Sequence, residues 1–261
     1  MLRALRTAAS GMAAQQFNID LVANNLANVN TTGFKKSHAD FEDLLYQTLR
    51  PAGPGEGDNQ IPTALQVGHG SRLTATAKVF SQGDSESTGN PLDVAIEGSG
   101  FFQIQMPDGT TGYTRDGSLR IDGTGRLTTP RGFALLPELT VPEDAESILI
   151  NAQGRVFVRT AGTETSTELG QLMLARFVNP SGLEAVGGNL YRLTESSGNA
   201  ILGAPGDLGI GSLRQGALER SNVDVTEEMV NMIVAQRAFE INSKSIKTAE
   251  DMLSVVNNIK R

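Results

Sequence analysis

Apolar and small side chains return at every seventh position at both ends of this chain, and at every second position in its middle. Near the start, Leu5, Met12, Ile19 and Leu26 share one register. Ala8, Val22 and Val29 share a register three residues on, which Gln15 interrupts. Near the end, Val225, Met232, Phe239, Ile246 and Leu253 follow at sevens without a gap. Ala235, Ala249 and Val256 lie three positions further on, with Asn242 as the polar exception. This spacing predicts two helices with a coiled-coil-like stripe. The second helix is expected to begin near Thr226 as its cap, with Glu227 and Glu228 set favourably against the helix dipole. At 1.5 Å per residue the two would be roughly 40 and 50 Å long.

Between the helices the period falls to two. The runs FFQIQM, GYTR, GSLRID, GRLTT and FALL are separated by Pro107-Asp108-Gly109, Asp116-Gly117 and Asp122-Gly123-Thr124-Gly125. Tight-turn residues between short alternating runs predict hairpins. SILI, RVFVRT and QLMLARFV form a second set after Ile121. Residues 50–62 differ from both patterns: Pro51, Pro54, Pro62 and three glycines argue against regular structure there. The expected fold class is α+β. Long N- and C-terminal helices would form an α-helical, coiled-coil-like layer, with a central all-β domain of hairpins and an extended Pro/Gly-containing connector. The expected division is residues 1–30 with 221–261 as the helical domain, 31–70 as the connector, and 71–220 as the β-rich domain.

Charge sharpens the picture of the first helix. Between Arg6 and Lys35 its only charged side chain is Asp20; the rest are Ala, Ser, Thr, Gln, Asn and apolar residues. A solvated helix face normally carries far more charge, so the pattern predicts cover on several sides. That cover is either the chain's own β domain or other copies, and the pattern favours other copies. Across all 261 residues, 39% hydrophobic content is globular, and a net charge of −7 gives no basic excess for nucleic acid. The absence of cysteine removes disulfides, thiolate metal sites and a Cys nucleophile. No apolar run approaches the roughly 20 residues of a membrane-spanning helix. The short Ala-rich stretch after Arg6, broken by Gln15 and Gln16, makes no signal-peptide core, so if the protein leaves the cytoplasm it does so without a cleaved signal.

Catalytic patterns are missing. There is no GxxxxGK[ST] loop, HExxH or GxSxG elbow, and Gly68-His69-Gly70 lacks a third glycine. His38 and His69 lie in polar surroundings, where surface roles suit them. Asp108, Asp116 and Asp122 each precede a glycine, so turn chemistry accounts for them. The chain therefore reads as no enzyme, with no catalytic residue, cofactor or metal site. A cell-wall hydrolase would need a carboxylate or His constellation that the sequence lacks. A β adhesin-like module on a coiled-coil stalk also fits the heptads, but would form a closed dimer or trimer.

The segment ANNLANVNTTGFKK, residues 23–36, closely resembles the N-terminal signature of the bacterial flagellar rod and hook proteins; it contains Asn24, Asn25, Leu26, Asn28, Asn30, Gly33 and Phe34. The stretch SNVDVTEEMVNMIVAQRAFEINSKSIKTAEDM, residues 221–252, resembles the matching C-terminal signature. EGSGFFQIQMPDG and YTRDGSLRID resemble the β domain of the same family. The resemblance implies a structural subunit that polymerises helically into a hollow tube, with both terminal helices in an inner layer. It implies packing of Leu5, Met12, Ile19, Val22 and Leu26 against Val225, Met232, Phe239, Ile246, Leu253 and Val256. Residues 46–70, including Tyr46, Pro51, Pro54, Pro62 and Gly70, resemble the segment of distal rod members and imply a stiffening insert; a proximal rod member is the alternative. The implied partners are copies of the chain, proximal rod proteins, the hook protein, the periplasmic and outer-membrane rings around the rod, and the flagellar type III export apparatus. The implied location is the basal body, across the periplasm.

Overall fold

A computed structural model describes residues 2–54, 60–160, 165–207 and 209–259. Helix α1 spans Leu2–Ala27 and helix α2 spans Val225–Ile259. The strands lie between them in several small sheets, so the architecture is α+β. The cap of α2 is Asp224 and not Thr226. Asp224 Oδ1 accepts hydrogen bonds from the backbone N–H of Thr226 at 2.7 Å and Glu227 at 3.1 Å, which places Thr226 already inside the first turn. A carboxylate there satisfies two otherwise unpaired donors and sits at the positive end of the dipole.

The chain forms two compact units. One gathers Met1–Leu26, Ser37–Ala77 and Asp224–Arg261; the other gathers Ala27–Lys36 and Lys78–Val223. These boundaries differ from the sequence boundaries at 30, 70 and 220. The reason is local: Ser37–Asp43 pairs with Ser71–Lys78, drawing the intervening chain in with the helices.

Within the helical unit, α1 and α2 are antiparallel. Asn25, near the end of α1, bonds Glu228 in the first turn of α2, while Gly11 faces Asn242. The insert departs from its expected irregular form. Tyr46–Arg50 pairs antiparallel with Leu65–Gly68 in the register Tyr46↔Gly68, Gln47↔Val67 and Thr48↔Gln66. Beyond that ladder Gly53–Pro54 pairs with Gln60–Ile61. Residues 55–59 lie outside the described residues. Proline is tolerated in such a ladder at an edge or between strands, and here Pro51 and Pro62 stand exposed between the two paired segments. The Pro/Gly content hid a hairpin whose legs carry the β-formers Tyr46, Thr48, Leu65 and Val67.

Within the β unit, the largest sheet runs in the order Glu184–Gly187, Leu190–Arg192, Thr111–Thr114, Phe101–Gln105, Leu174–Arg176, Ile201–Gly203, with Leu135–Leu136 also on Phe101–Gln105. Its centre is buried on both faces. Phe102 and Ile104 point into a core with Val94, Leu119, Leu127, Val156 and Leu174. Phe101 points the other way, into a cluster with Tyr113, Phe177 and Tyr191. Rings in that cluster meet edge to face, Tyr113 on Phe177 at 4.8 Å and 88°. Ala145–Ile150, Arg155–Thr160 and Thr167–Gln171 form a separate three-stranded sheet whose Val156 and Val158 face the main core.

Candidate assembly surface

The sevenfold pattern of α2 becomes a line of burial. Met232, Phe239, Ile246 and Leu253 are half-buried, and Ala235 and Ala249 are buried. Val225, first in that series, is exposed because it lies in the opening turn. The side chain of Val256 lies outside the described residues. On α1, Leu5, Met12, Ile19 and Leu26 are half-buried and Val22 is buried, as are Ala8 and Ala14. Among the exposed polar and charged side chains of α2, such as Arg237, Glu240 and Lys244, apolar ones also stand in water. Met229, Val230, Ile233, Val234, Ile241, Met252 and Val255 are each more than half exposed. The insert hairpin adds Leu45, 87% exposed, with Tyr46, Leu49 and Leu65. Soluble monomers rarely leave so much apolar surface in water, and contiguous patches of this kind mark interaction surfaces.

The Asn-rich end of α1 is a polar joint. Asn25 is buried; its Nδ2 donates to the Ser37 carbonyl at 3.0 Å and its Oδ1 accepts from the Ser37 N–H at 2.9 Å. One side-chain amide thereby mimics a strand partner and seats the first residue of the Ser37–Asp43 strand. Asn28 Oδ1 accepts from Thr31 Oγ1, Asn24 and Asn30 are exposed, and Phe34 is buried beneath the Lys78 ammonium, 4.5 Å from the ring centroid. Gly33 has φ +67°, and a Cβ there would lie 2.8 Å from the Asp116 nitrogen. Both the left-handed backbone and the close approach demand glycine. Gly70, at φ +114°, lies against Ser10 and Thr7 of α1, where a Cβ would overlap the Ser10 hydroxyl. Pro54 occupies its short strand; its side chain lies outside the described residues.

An ion triad that the sequence patterns did not single out lies in the β unit. Lys35, 0% exposed, meets Glu219 Oε1 at 2.5 Å; Arg115 Nε meets Glu219 Oε2 at 2.7 Å. Lys35 also donates to the Ser81 carbonyl, and the Arg115 guanidinium donates to the carbonyls of Gly98 and Gly100. Burial lowers the Lys35 pKa from its usual value, with the Glu219 charge opposing that shift. Nearby, Asn222 accepts from the Lys36 N–H at 2.8 Å and donates to the Val79 carbonyl. Lys35 and Arg115 lay inside the quoted motifs, but only three-dimensional contact identifies their shared carboxylate.

The aspartates serve turns. Asp108 Oδ1 accepts from Thr110, Asp116 Oδ1 from Ser118, and Asp122 Oδ1 from Thr124 and the Arg126 N–H. The Thr124 hydroxyl, helped by the Arg126 N–H, holds the Asp122 carboxyl well below the ordinary carboxylate range. Burial pushes the Tyr191 phenol up to about 12. Among the described residues, no three His, Cys, Asp or Glu side chains are placed to hold a metal, and no helix is long and apolar enough to cross a membrane.

Exposed apolar side chains on the helices and a polar joint at the end of α1 fit the class of structural proteins that act through their surfaces. Comparison with known proteins gives the same class. Residues 5–35 match the family described as flagella basal body rod protein, residues 95–158 the flagellar hook protein FlgE/F/G D1 domain, and residues 214–259 the flagellar basal body rod FlgEFG protein C-terminal region. The flagellar basal-body rod protein FlgG of Borreliella burgdorferi is 54% identical over 264 residues, covering 100% of both chains. Proteins of the same name from Caulobacter vibrioides and Bacillus subtilis are 44% and 41% identical, covering 99% and 100% of this chain and 100% of each relative. The chain belongs to the bacterial flagellar basal-body rod protein family, a structural family.

Proposed function

We propose that the chain is a structural subunit of the flagellar distal rod, which assembles helically with copies of itself into a hollow drive shaft. The shaft carries torque across the periplasm to the hook. The apolar outer face of α2 carries this reading. Burying the remaining exposed area of each of those side chains against a neighbour contributes about 1 kcal/mol. Many copies of that gain favour a polymer over a monomer.

In this reading residues 1–30 and 221–261 form the inner tube, residues 71–220 face outward, and the two helices pair in a coiled-coil-like manner. Leu5, Met12, Ile19, Val22 and Leu26 pack against Met232, Phe239, Ile246, Leu253 and Val256, with Val225 turned toward a neighbouring subunit. The hairpin holding Tyr46, Pro51, Pro54, Pro62 and Gly70 is the stiffening element between subunits. Proximal rod proteins lie below, the hook protein above, and the periplasmic and outer-membrane rings around. The type III apparatus exports the chain without a cleaved signal, and the subunit performs no catalysis.

Removing the gene tests the reading. Basal bodies from the deletion strain are expected to end at the proximal rod, without hook or filament, and re-expression is expected to restore both. Complete hooks on the deletion strain would overturn it; loss of the proximal rod as well would place the chain there instead.

A further inference from the structure

Where α1 ends, Asn18, Asn25, Asp40, Glu228 and Asn231 line a groove of about 520 Å³. Glu228 is 4% exposed, and the hydrogen bond its carboxylate makes in this groove is the long one from Asn25 Nδ2 at 3.4 Å. Asp40 stands exposed on the rim beside His38, 3.9 Å away. The helix segments that build this end carry no basic residue from Thr7 to Ala27 or from Val225 to Gln236, although Lys36 adjoins the lining residue Ser37. The opposite end of the helix pair is basic. Arg3 and Arg6 project from the first turns of α1, with Lys244 and Lys247 on the neighbouring stretch of α2 against Glu250 and Asp251. Among the described residues none of these four cations has an ion-pair partner.

An acidic groove at one end and free cations at the other are complementary, but one chain cannot join them. Arg6 and Asn25 lie on one continuous helix, about 29 Å apart along its axis. A second copy must supply the cation. We propose that the groove receives the Arg3 and Arg6 turn of another copy of this chain, stacked head to tail along the helix axis. The guanidinium groups pair with the Glu228 and Asp40 carboxylates, and the carbonyl oxygens of Asn18 and Asn231 accept their remaining N–H groups. The donor turn and the accepting groove are different patches, so every copy that is occupied still offers its other end. Such a contact repeats without closing, as an open polymer requires. This inference rests on the rod reading above and specifies its axial contact.

The chain has no cysteine, which makes pairwise cross-linking clean. Arg6→Cys and Asn231→Cys are combined in a strain with no other copy of the gene, and isolated basal bodies are treated with a short bis-maleimide. A ladder of covalent multimers is expected from the double variant and only monomer from each single variant. Monomer alone from basal bodies that contain the double variant would overturn the axial contact and leave the rod reading standing. Absence of the wild-type chain from basal bodies would overturn the rod reading itself. Where the double variant fails to assemble, charge exchange decides. Arg6→Glu is expected to abolish swimming and Arg6→Glu with Asp40→Arg to restore it; no restoration would overturn the contact.

Discussion

Lys35 and Glu219, 184 positions apart, meet at 2.5 Å with both side chains withdrawn from water. Lys35 follows the end of α1 by a few residues and Glu219 precedes α2 by a few, so one carboxylate ties together the two strands of chain that lead to the helices. Arg115 shares the same carboxylate from within the β unit. Replacing Glu219 by Ala leaves two buried cations without their counter-ion. Urea unfolding of the full chain is expected to show a loss of about 3–5 kcal/mol, and a loss under about 1 kcal/mol would mean that water reaches the site.

Gly33 is expected to tolerate no side chain. In Gly33→Ala the left-handed backbone is strained and the new Cβ presses on the Asp116 nitrogen. A destabilisation of more than about 1 kcal/mol is expected in the same urea experiment.

Two substitutions on α2 separate packing within a chain from packing between chains. Ile241, 62% exposed, has little burial to lose in the monomer. Ile241→Asp is expected to change monomer stability by no more than about 0.5 kcal/mol while abolishing rod assembly and swimming. Phe239→Asp, on the half-buried line, is expected to abolish both assembly and the helicity of α2 seen by circular dichroism. Normal swimming of the Ile241→Asp strain would remove the apolar face from the assembly.

Deleting residues 50–62 removes the Pro/Gly-rich segment that follows the Tyr46–Arg50 strand and leaves both terminal helices intact. The resulting rods are expected to form but to bend more readily in electron micrographs. Unchanged curvature would return the hairpin to a surface ornament.

Asp122 gives the β unit a pH signature. Its folded-state pKa is depressed below 3.8, chiefly by the Thr124 hydroxyl, so its contribution is fully present above 3.8 and fades as pH falls from there toward the folded value. Melting temperatures of Asp122→Asn are expected to lie below wild type at neutral pH, with the gap narrowing on acidification in that window. A gap that stays constant with pH would dissociate the carboxylate charge from the turn.

Periodicity made part of this legible in advance. The seven-residue spacing of Met232, Phe239, Ile246 and Leu253 encodes the half-buried line of α2, because one helical face must carry it. Aspartate before glycine encodes the turns at Asp108 and Asp122, because those side chains bond backbone two residues on. Longer-range relations were not legible. Glu219 is one acidic residue among many until the fold places it between Lys35 and Arg115. The insert hairpin was concealed by its own prolines, of which Pro51 and Pro62 stand outside the paired segments and leave Tyr46–Arg50 and Leu65–Gly68 free to bond. Asp224 caps α2 two residues before Thr226 because either residue type serves, and geometry alone selects between them.

On the rod reading, other copies cover the outer face of α2 in the mature rod. Ile241→Cys, the only cysteine in its chain, reports this directly through maleimide labelling. Rapid labelling of the free subunit and strong protection in isolated basal bodies are expected. Equal labelling in both states would mean that no other copy covers this face.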